Sequence, residues 1–337
     1  MPTTEERLAA LEAKMAQLTD TRPTTYYTHQ YSGEEIDAAT GRALTGGALD
    51  TSVTNVSNQL GTFVRPNLLD NWYFGNPVNQ RGQTEYTGNW VYSVDRWELA
   101  DNNGTLQIFD TGIMYATANY LFQALTDELS NDLRGKRVTV SVLYEDSLFF
   151  ESVIIKQNWT TWDVMIKTED FGLIGTNNNT RLWCQIGRPN KRILAAKLEL
   201  GPTQTLAHQD AAGNWVLNEV PDYGEQLRRC QRYFVYFTKF TSVSGRAANT
   251  NSCQFMVPIP VTLRDNPVIS DTNVTNWRVQ DAAGKYITIT GIHAYPAGVQ
   301  PSYITIFVDS AAAFTVGAIY TLSRTDASGP VSFSADL

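Results

Sequence analysis

Between residues 104 and 200 the chain keeps repeating one pattern, in which short runs of alternating apolar and polar residues end in polar or glycine-bearing turns. Residues 106–109, 138–144, 153–156, 162–166, 182–186 and 196–200 carry it. Successive side chains of a strand point to opposite faces, so these runs suit sheets with one face in a core and the other outside it. Many short strands separated by turns predict an antiparallel β-sandwich. Asp101-Asn102-Asn103-Gly104 has the residues of a hairpin turn, and residues 175–180, GTNNNT, those of a longer polar loop. A helical turn fits either 119–125 or 127–133.

A second set of strand signals occupies 234–237, 253–257, 268–269, 277–279, 286–292, 303–308 and 319–323. Pro258, Pro260 and Pro267 bracket residues 259–266, which read as loop or sheet edge because proline cannot donate to a ladder. Two near-identical stretches, Gln209-Asp210-Ala211-Ala212-Gly213 and Gln280-Asp281-Ala282-Ala283-Gly284, each lead through one polar residue to an aromatic. Their flanks differ, which predicts two similar hairpin turns and not a duplicated domain. Between the strand sets, residues 221–234, PDYGEQLRRCQRYF, read as a capped helix running into a strand. Asp222 is the cap and Glu225 its capping-box partner, while Tyr223, Leu227, Cys230 and Phe234 recur at helical spacing.

At the N-terminus Thr3-x-x-Glu6 is a capping box, behind which Met1, Leu8 and Met15 fall at a positions and Leu11 and Leu18 at d. In this register Arg7 can meet Glu12 of a parallel neighbour. A helix of about 18 residues is marginal alone in water, so this coiled coil is expected to zip together chains already joined elsewhere. Residues 22–65 turn polar and small; Ser32 and Glu35 form a second capping box before Ile36, and a short helix fits 50–60 with Val53, Val56 and Leu60 on one stripe. Such thin stripes suit a trimeric neck in which each chain supplies one side of a shared core. Leu8, Leu11, Met15, Leu18, Ile36, Val53, Val56 and Leu60 are therefore the expected oligomerisation residues.

An apolar fraction of 42% with 11% aromatics is ample for packed cores. A net charge of −8, with no basic run richer than Arg228, Arg229 and Arg232, opposes binding to nucleic acid. Charged first residues and short apolar runs predict neither a signal peptide nor membrane insertion. Cys184, Cys230 and Cys253 are widely spaced with no CxxC pair, which favours buried free thiols over zinc or disulfides. His29, His208 and His293 lie far apart and outside any HExxH spacing, so no metal or cofactor is expected. Neither GxSxG nor GxxxxGK[ST] occurs. Glu145-Asp146 and Glu169-Asp170 read as solvated edges, because adjacent strand residues point to opposite faces and cannot together form a glycosidic acid/base pair. No catalytic residue is assigned.

Together with residues 195–208, AAKLELGPTQTLAH, the run GEQLRRCQRYF at 224–234 resembles the tail fibres and receptor-binding proteins of Gram-positive-type phages and prophages. Pro66-Asn67-Leu68-Leu69-Asp70-Asn71, Asn79-Gln80-Arg81-Gly82 and Asp95-Arg96-Trp97 are similar to the start of the same module. The resemblance implies a coiled coil at 1–21, a helical neck at 22–65, a jelly-roll domain like a carbohydrate-binding module at 66–206, a hairpin and connector helix at 207–233 and a C-terminal β-sandwich tip at 234–337. The whole would be a mainly β homotrimeric fibre of the virion tail. It would be held to phage tail or baseplate proteins by its N-terminus and would attach to bacterial surface polysaccharide without cleaving it. A fibre-borne glycan depolymerase or esterase and a purely structural baseplate or collar component are the alternatives.

Eight Trp and sixteen Tyr exceed what two sandwich cores need, and sugar rings stack on flat aromatic faces. Trp97, Trp162 and Trp183 lie in or beside alternating runs and are expected in the core. The expected ligand residues are aromatics beside polar turns in the terminal domain: Trp277, His293, Tyr295 and Tyr303. Next in line are Trp72, Tyr73, Trp90 and Tyr92.

Overall fold

The computed structural model describes residues 3, 6, 9–14, 64–100, 104–115, 120–159, 163–175, 181–294, 303–311, 313–325 and 329–335. The chain divides into two compact units, Met1–Phe63 and Val64–Leu337. In the first, Glu6 and Ala9–Lys14 are helical. The expected capping box closes in both directions: Thr3 N–H donates to Glu6 Oε2 at 2.7 Å and Glu6 N–H to Thr3 Oγ1 at 3.3 Å. Leu11 is exposed there. Leu8, Met15, Leu18, Ile36, Val53, Val56 and Leu60 lie outside the described residues, and with them the expected coiled-coil seam and neck.

The second unit is mainly β. Strands β1 (Glu85–Gly88), β2 (Val91–Tyr92), β3 (Glu98–Ala100), β4 (Gly104–Phe109), β5 (Gly112–Tyr115), β6 (Tyr120–Ala124), β7 (Arg137–Tyr144), β8 (Leu148–Ile154), β9 (Val164–Lys167), β10 (Phe171–Gly175), β11 (Leu182–Ile186) and β12 (Ile193–Leu200) form two six-stranded antiparallel sheets. Their orders are β1-β4-β5-β12-β7-β8 and β2-β3-β6-β11-β10-β9. Alternate residues of both enter one hydrophobic cluster, with Val138, Val140, Val142 and Leu198 from the first sheet and Leu99, Leu121, Leu173, Cys184 and Ile186 from the second. Trp97 is fully buried in it, edge-on to Phe74 at 5.4 Å, and its indole N–H donates to the Asn71 carbonyl.

Two local expectations change. β3 and β4, which would be the arms of the expected hairpin, belong to different sheets and do not pair; Asp101, Asn102 and Asn103 lie outside the described residues. Residues 120–124 form a strand and not a helical turn, since β6 lies between β3 and β11 and puts Leu121 and Gln123 on the core side and Phe122 on the other. The alternative, 127–133, is the helix: α1 (Asp127–Asp132) is capped by Thr126, whose hydroxyl accepts from Leu129 N–H.

The outward face of the first sheet is itself covered. Hairpin β13 (Ala207–Gln209) and β14 (Trp215–Leu217) brings residues 205–219 across it. Glu199, fully buried, accepts from both the N–H and hydroxyl of Thr205, at 2.6 and 2.5 Å. Lys197, also fully buried, donates to Glu219 at 3.0 Å.

Beyond helix α2 (Tyr223–Gln231), β15 (Phe234–Phe237), β18 (Val268–Ile269) and β24 (Val331–Ser334) make a three-stranded sheet in the order β15-β24-β18. β16 (Val243–Ala247), β17 (Ser252–Pro258), β19 (Trp277–Asp281), β20 (Tyr286–Ile287), β21 (Gly291–Ala294), β22 (Tyr303–Asp309) and β23 (Ile319–Arg324) make a seven-stranded one in the order β20-β19-β23-β16-β17-β22-β21. Phe255, Val279, Ile306, Leu322 and Phe333 anchor a second core between them. The expected single strand 286–292 is two strands at opposite edges of this sheet. Pro258 takes the last position of β17, where its missing N–H costs least.

The two repeated stretches fold identically. Asp210 and Asp281 each accept at Oδ1 from the N–H groups two and four residues on, at 2.8–2.9 Å. Each is closed by a glycine in the left-handed region, Gly213 at φ 85° and Gly284 at φ 81°, where a side chain would be strained. One turn serves two different sheets, as the unmatched flanks predict.

Helix α2 is docked on the first core. Asp222 caps it, accepting from Glu225 N–H at 2.8 Å, but the Glu225 carboxylate turns to Arg228 instead of completing the box. Of the expected stripe, Cys230 and Phe234 are buried and Leu227 half-buried, but Tyr223 is exposed, and Gln226 joins Cys230 on the inward face. Gln226 Oε1 accepts from Asn71 N–H at 2.7 Å, Arg229 pairs with Asp70 at 2.7 Å, and the Arg96 guanidinium lies 3.5 Å over the Tyr233 ring. All three cysteines are free and buried. Burial pushes the Cys184 thiol up to about 12, well away from a reactive thiolate.

Candidate functional site

The structure does not bring the four expected ligand residues together. Trp277 is a core residue, 4% exposed, edge-on to Phe240 at 5.1 Å and covered by the Arg324 guanidinium at 4.5 Å. Its indole N–H donates to the Asp271 carbonyl at 3.1 Å. The polar stretch before it is a 3-10 turn, Val274–Asn276 capped by Asn273, but the ring that follows it points inward. His293 and Tyr303 stand on the outward face of the seven-stranded sheet, His293 stacked on Phe307 at 5.8 Å and within 3.6 Å of Asp309. Tyr295 lies outside the described residues.

A denser aromatic cluster occupies the other sandwich, on the outward face of the second six-stranded sheet. Leu182, Cys184 and Ile186 of β11 enter the core, so Trp183 and Gln185 between them point away from it. Phe122 of β6, paired with Gln185, shares that outward face. Onto these two rings comes Trp90, from the turn between β1 and β2. Its ring centroid lies 6.0 Å from Trp183, edge-on, and 6.3 Å from Phe122, while Phe122 and Trp183 are 5.7 Å apart. Trp90 is 49% exposed although it is the outermost of three packed rings.

Its backbone is also unusual. At φ 53° Trp90 sits in the left-handed region, which is costly for a bulky residue and persists only where surrounding contacts hold it. The face offers polar groups beside the rings. Glu98 of β3 lies opposite Phe122 in the ladder, and Gln185 lies opposite Phe122 on the other side. Gly172 of β10, next in the same row, contributes no side chain. A flat aromatic floor with an acid and an amide in one row can stack a pyranose ring and hydrogen-bond its substituents.

Of the other secondary suspects, Trp72 is buried in the core, whereas Tyr92, opposite Glu98, continues the row of Phe122 and Gln185 on the same face and is half-buried beneath the Arg81 guanidinium at 5.5 Å. Trp97 fulfils its core expectation; Trp162 lies outside the described residues. Trp183 does not fulfil it, since the alternation of β11 is apolar on both faces and its phase alone does not say which face is covered. The left-handed turn at Thr87-Gly88-Asn89-Trp90 could have been suspected from Gly88 and Asn89, but nothing local pairs Trp90 with β11, almost a hundred residues on.

Of the acidic pairs, Glu145 and Asp146 are exposed at ion pairs with Arg192 and Lys191, and hydrogen bonds from Lys191 and Ser147 hold the Asp146 carboxyl below its usual range. Glu169 is exposed, but Asp170 is buried against Arg188 at 3.0 Å, which corrects the reading of that pair as a solvated edge. Among the described residues, no group of three or more His, Cys, Asp and Glu side chains could hold a metal ion, and no helix is long and apolar enough to cross a membrane.

The chain matches no family model, no curated protein and no solved structure.

Proposed function

We propose that this chain is a phage tail-fibre or receptor-binding protein that attaches to bacterial surface glycan without cleaving it. In this reading the two six-stranded sheets are its jelly roll and the residues beyond α2 its tip. The segment behind Thr3 is a coiled coil that, with a helical neck, holds a homotrimer to the phage tail or baseplate. The observation that carries the glycan reading is Trp90, a half-exposed indole kept at an unfavourable backbone angle on top of two further rings. Three such platforms per homotrimer would raise avidity over a single site by roughly 10²–10⁴ where two can engage together.

Trp90→Ala should cut adsorption to host cells at least about tenfold, since sugar–indole stacking is the kind of contact that dominates a small site, and should leave melting unchanged within a few degrees. Undiminished adsorption would remove the platform from the reading. Sedimentation in native buffer should give three chain masses, and a concentration-independent monomer would contradict the homotrimer.

A further inference from the structure

The end of α2 carries Arg228 and Arg229, with Arg232 as its C-cap, and helical spacing sets all three close together. Like charges three and four residues apart repel, so the arrangement destabilises the helix unless something offsets it. Part of it is offset. Arg228 pairs with Glu225 at 3.4 Å and Arg229 with Asp70 at 2.7 Å, and cations suit the negative end of a helix. The exposed Arg232 side chain makes no hydrogen bond or ion pair among the described residues.

Arg229 and Arg232 also stand in the walls of two cavities. One, of about 170 Å³, lies between α2 and the first sandwich and is lined as well by Asp70, Arg96, Leu125 and Tyr233. A water needs about 10–15 Å³ of such space, so a phosphoryl group fits there with part of its carrier. The other, of about 320 Å³, lies toward Arg228, Glu225 and Thr262. Four guanidinium groups and two carboxylates line the pair, an excess of two positive charges in a chain whose net charge is −8. Just outside, Arg264 and Glu128 attract and offset each other.

This excess restricts the ligand. A cation is repelled, and a neutral sugar leaves the charge unbalanced. A carboxylate or a phosphodiester brings one negative charge. A phosphate monoester brings nearly two at neutral pH, with three strong acceptor oxygens for the planar guanidinium forks. Arg229 holds Asp70 through one of its five N–H groups and keeps others to donate, while all five of Arg232 are unused. The geometry points to a site for a phosphate dianion, free or as the end of a small monoester, held by Arg229 and Arg232 where α2 meets the first sandwich. It shares no residue with the Trp90 platform and does not depend on the glycan reading.

Titration calorimetry of the intact chain at about pH 8, where phosphates with an ionisable second proton are dianions, and at fixed ionic strength tests the site. Inorganic phosphate, methyl phosphate or butyl phosphate should bind at least about tenfold tighter than dimethyl phosphate and acetate, which carry a single charge. Affinity that rises from the inorganic ion to the butyl ester identifies a monoester whose carbon chain lies on Leu125; affinity that falls identifies the free ion, and either order supports the dianion site. Arg232→Gln should weaken binding about tenfold, the worth of a charge-assisted hydrogen bond, with melting unchanged because the side chain bonds nothing in the fold. Arg278→Gln, on β19, lowers the net charge equally and should bind like the parent. No binding of any of the three phosphates up to about 10 mM, where a site of millimolar affinity is mostly filled, would overturn the proposal. Equal binding of dimethyl phosphate, or equal losses in the two variants, would overturn it too.

Discussion

Replacing Trp97 with alanine should lower the unfolding free energy by about 3–5 kcal/mol, the usual cost of emptying a fully buried aromatic site. The indole has no exposed surface, holds the Phe74 ring edge-on and satisfies the Asn71 carbonyl, so its loss opens a cavity and strands an acceptor together. Calorimetric melting should show the drop, while adsorption per folded molecule stays at the parent level. A variant as stable as the parent but unable to adsorb would mean that Trp97 serves recognition and not the core.

Glu219→Ala should cost about 3 kcal/mol, within the range found when one partner of a buried pair is removed. Lys197 has no exposed side-chain surface, whereas that of Glu219 is 35% exposed, so deleting the acid leaves an ammonium that water cannot reach. Lys197→Met removes the charge and keeps the length, and should change stability by no more than about 1 kcal/mol. Urea titration of the two variants gives the comparison directly. If Lys197→Met were the more damaging, the pair would be stabilising by attraction, and desolvation would not be the controlling term.

Where apolar residues alternate with polar ones, periodicity was sufficient: 138–144 and 253–257 are strands within a residue of the expected limits. Where a strand is apolar on both faces it was not. Tyr120–Ala124 could not be told from a helical turn, the alternative to 127–133, because Leu121 and Phe122 are both large and apolar, one in the core and one under Trp90. The same ambiguity hid Trp183. Turns were legible when the hydrogen bonds are internal to them, as with Asp210 and Asp281, whose carboxylates organise their own loops. They were not legible when the deciding partner is remote. Asp101–Gly104 has hairpin residues, yet its flanking strands belong to two sheets whose assembly depends on β1 and β6. Trp277 failed for a related reason, because a polar neighbourhood in sequence says where the backbone meets water and not where the next ring points.

The docking of helix α2 has a mechanical consequence. Gln226 is bonded to Asn71, Arg229 is paired to Asp70, and Arg96 is laid on Tyr233, so the chain does not leave the first sandwich through a free hinge. Gln80 adds a bond to the Phe234 carbonyl at the first residue of the next sheet, and Arg81 lies 3.8 Å over its ring. A tension applied between the two cores must therefore shear several charged and aromatic contacts at once before any strand is peeled. In the proposed attachment role, a pull arriving at one core would pass to the other through these contacts and would not be spent on uncoiling a tether.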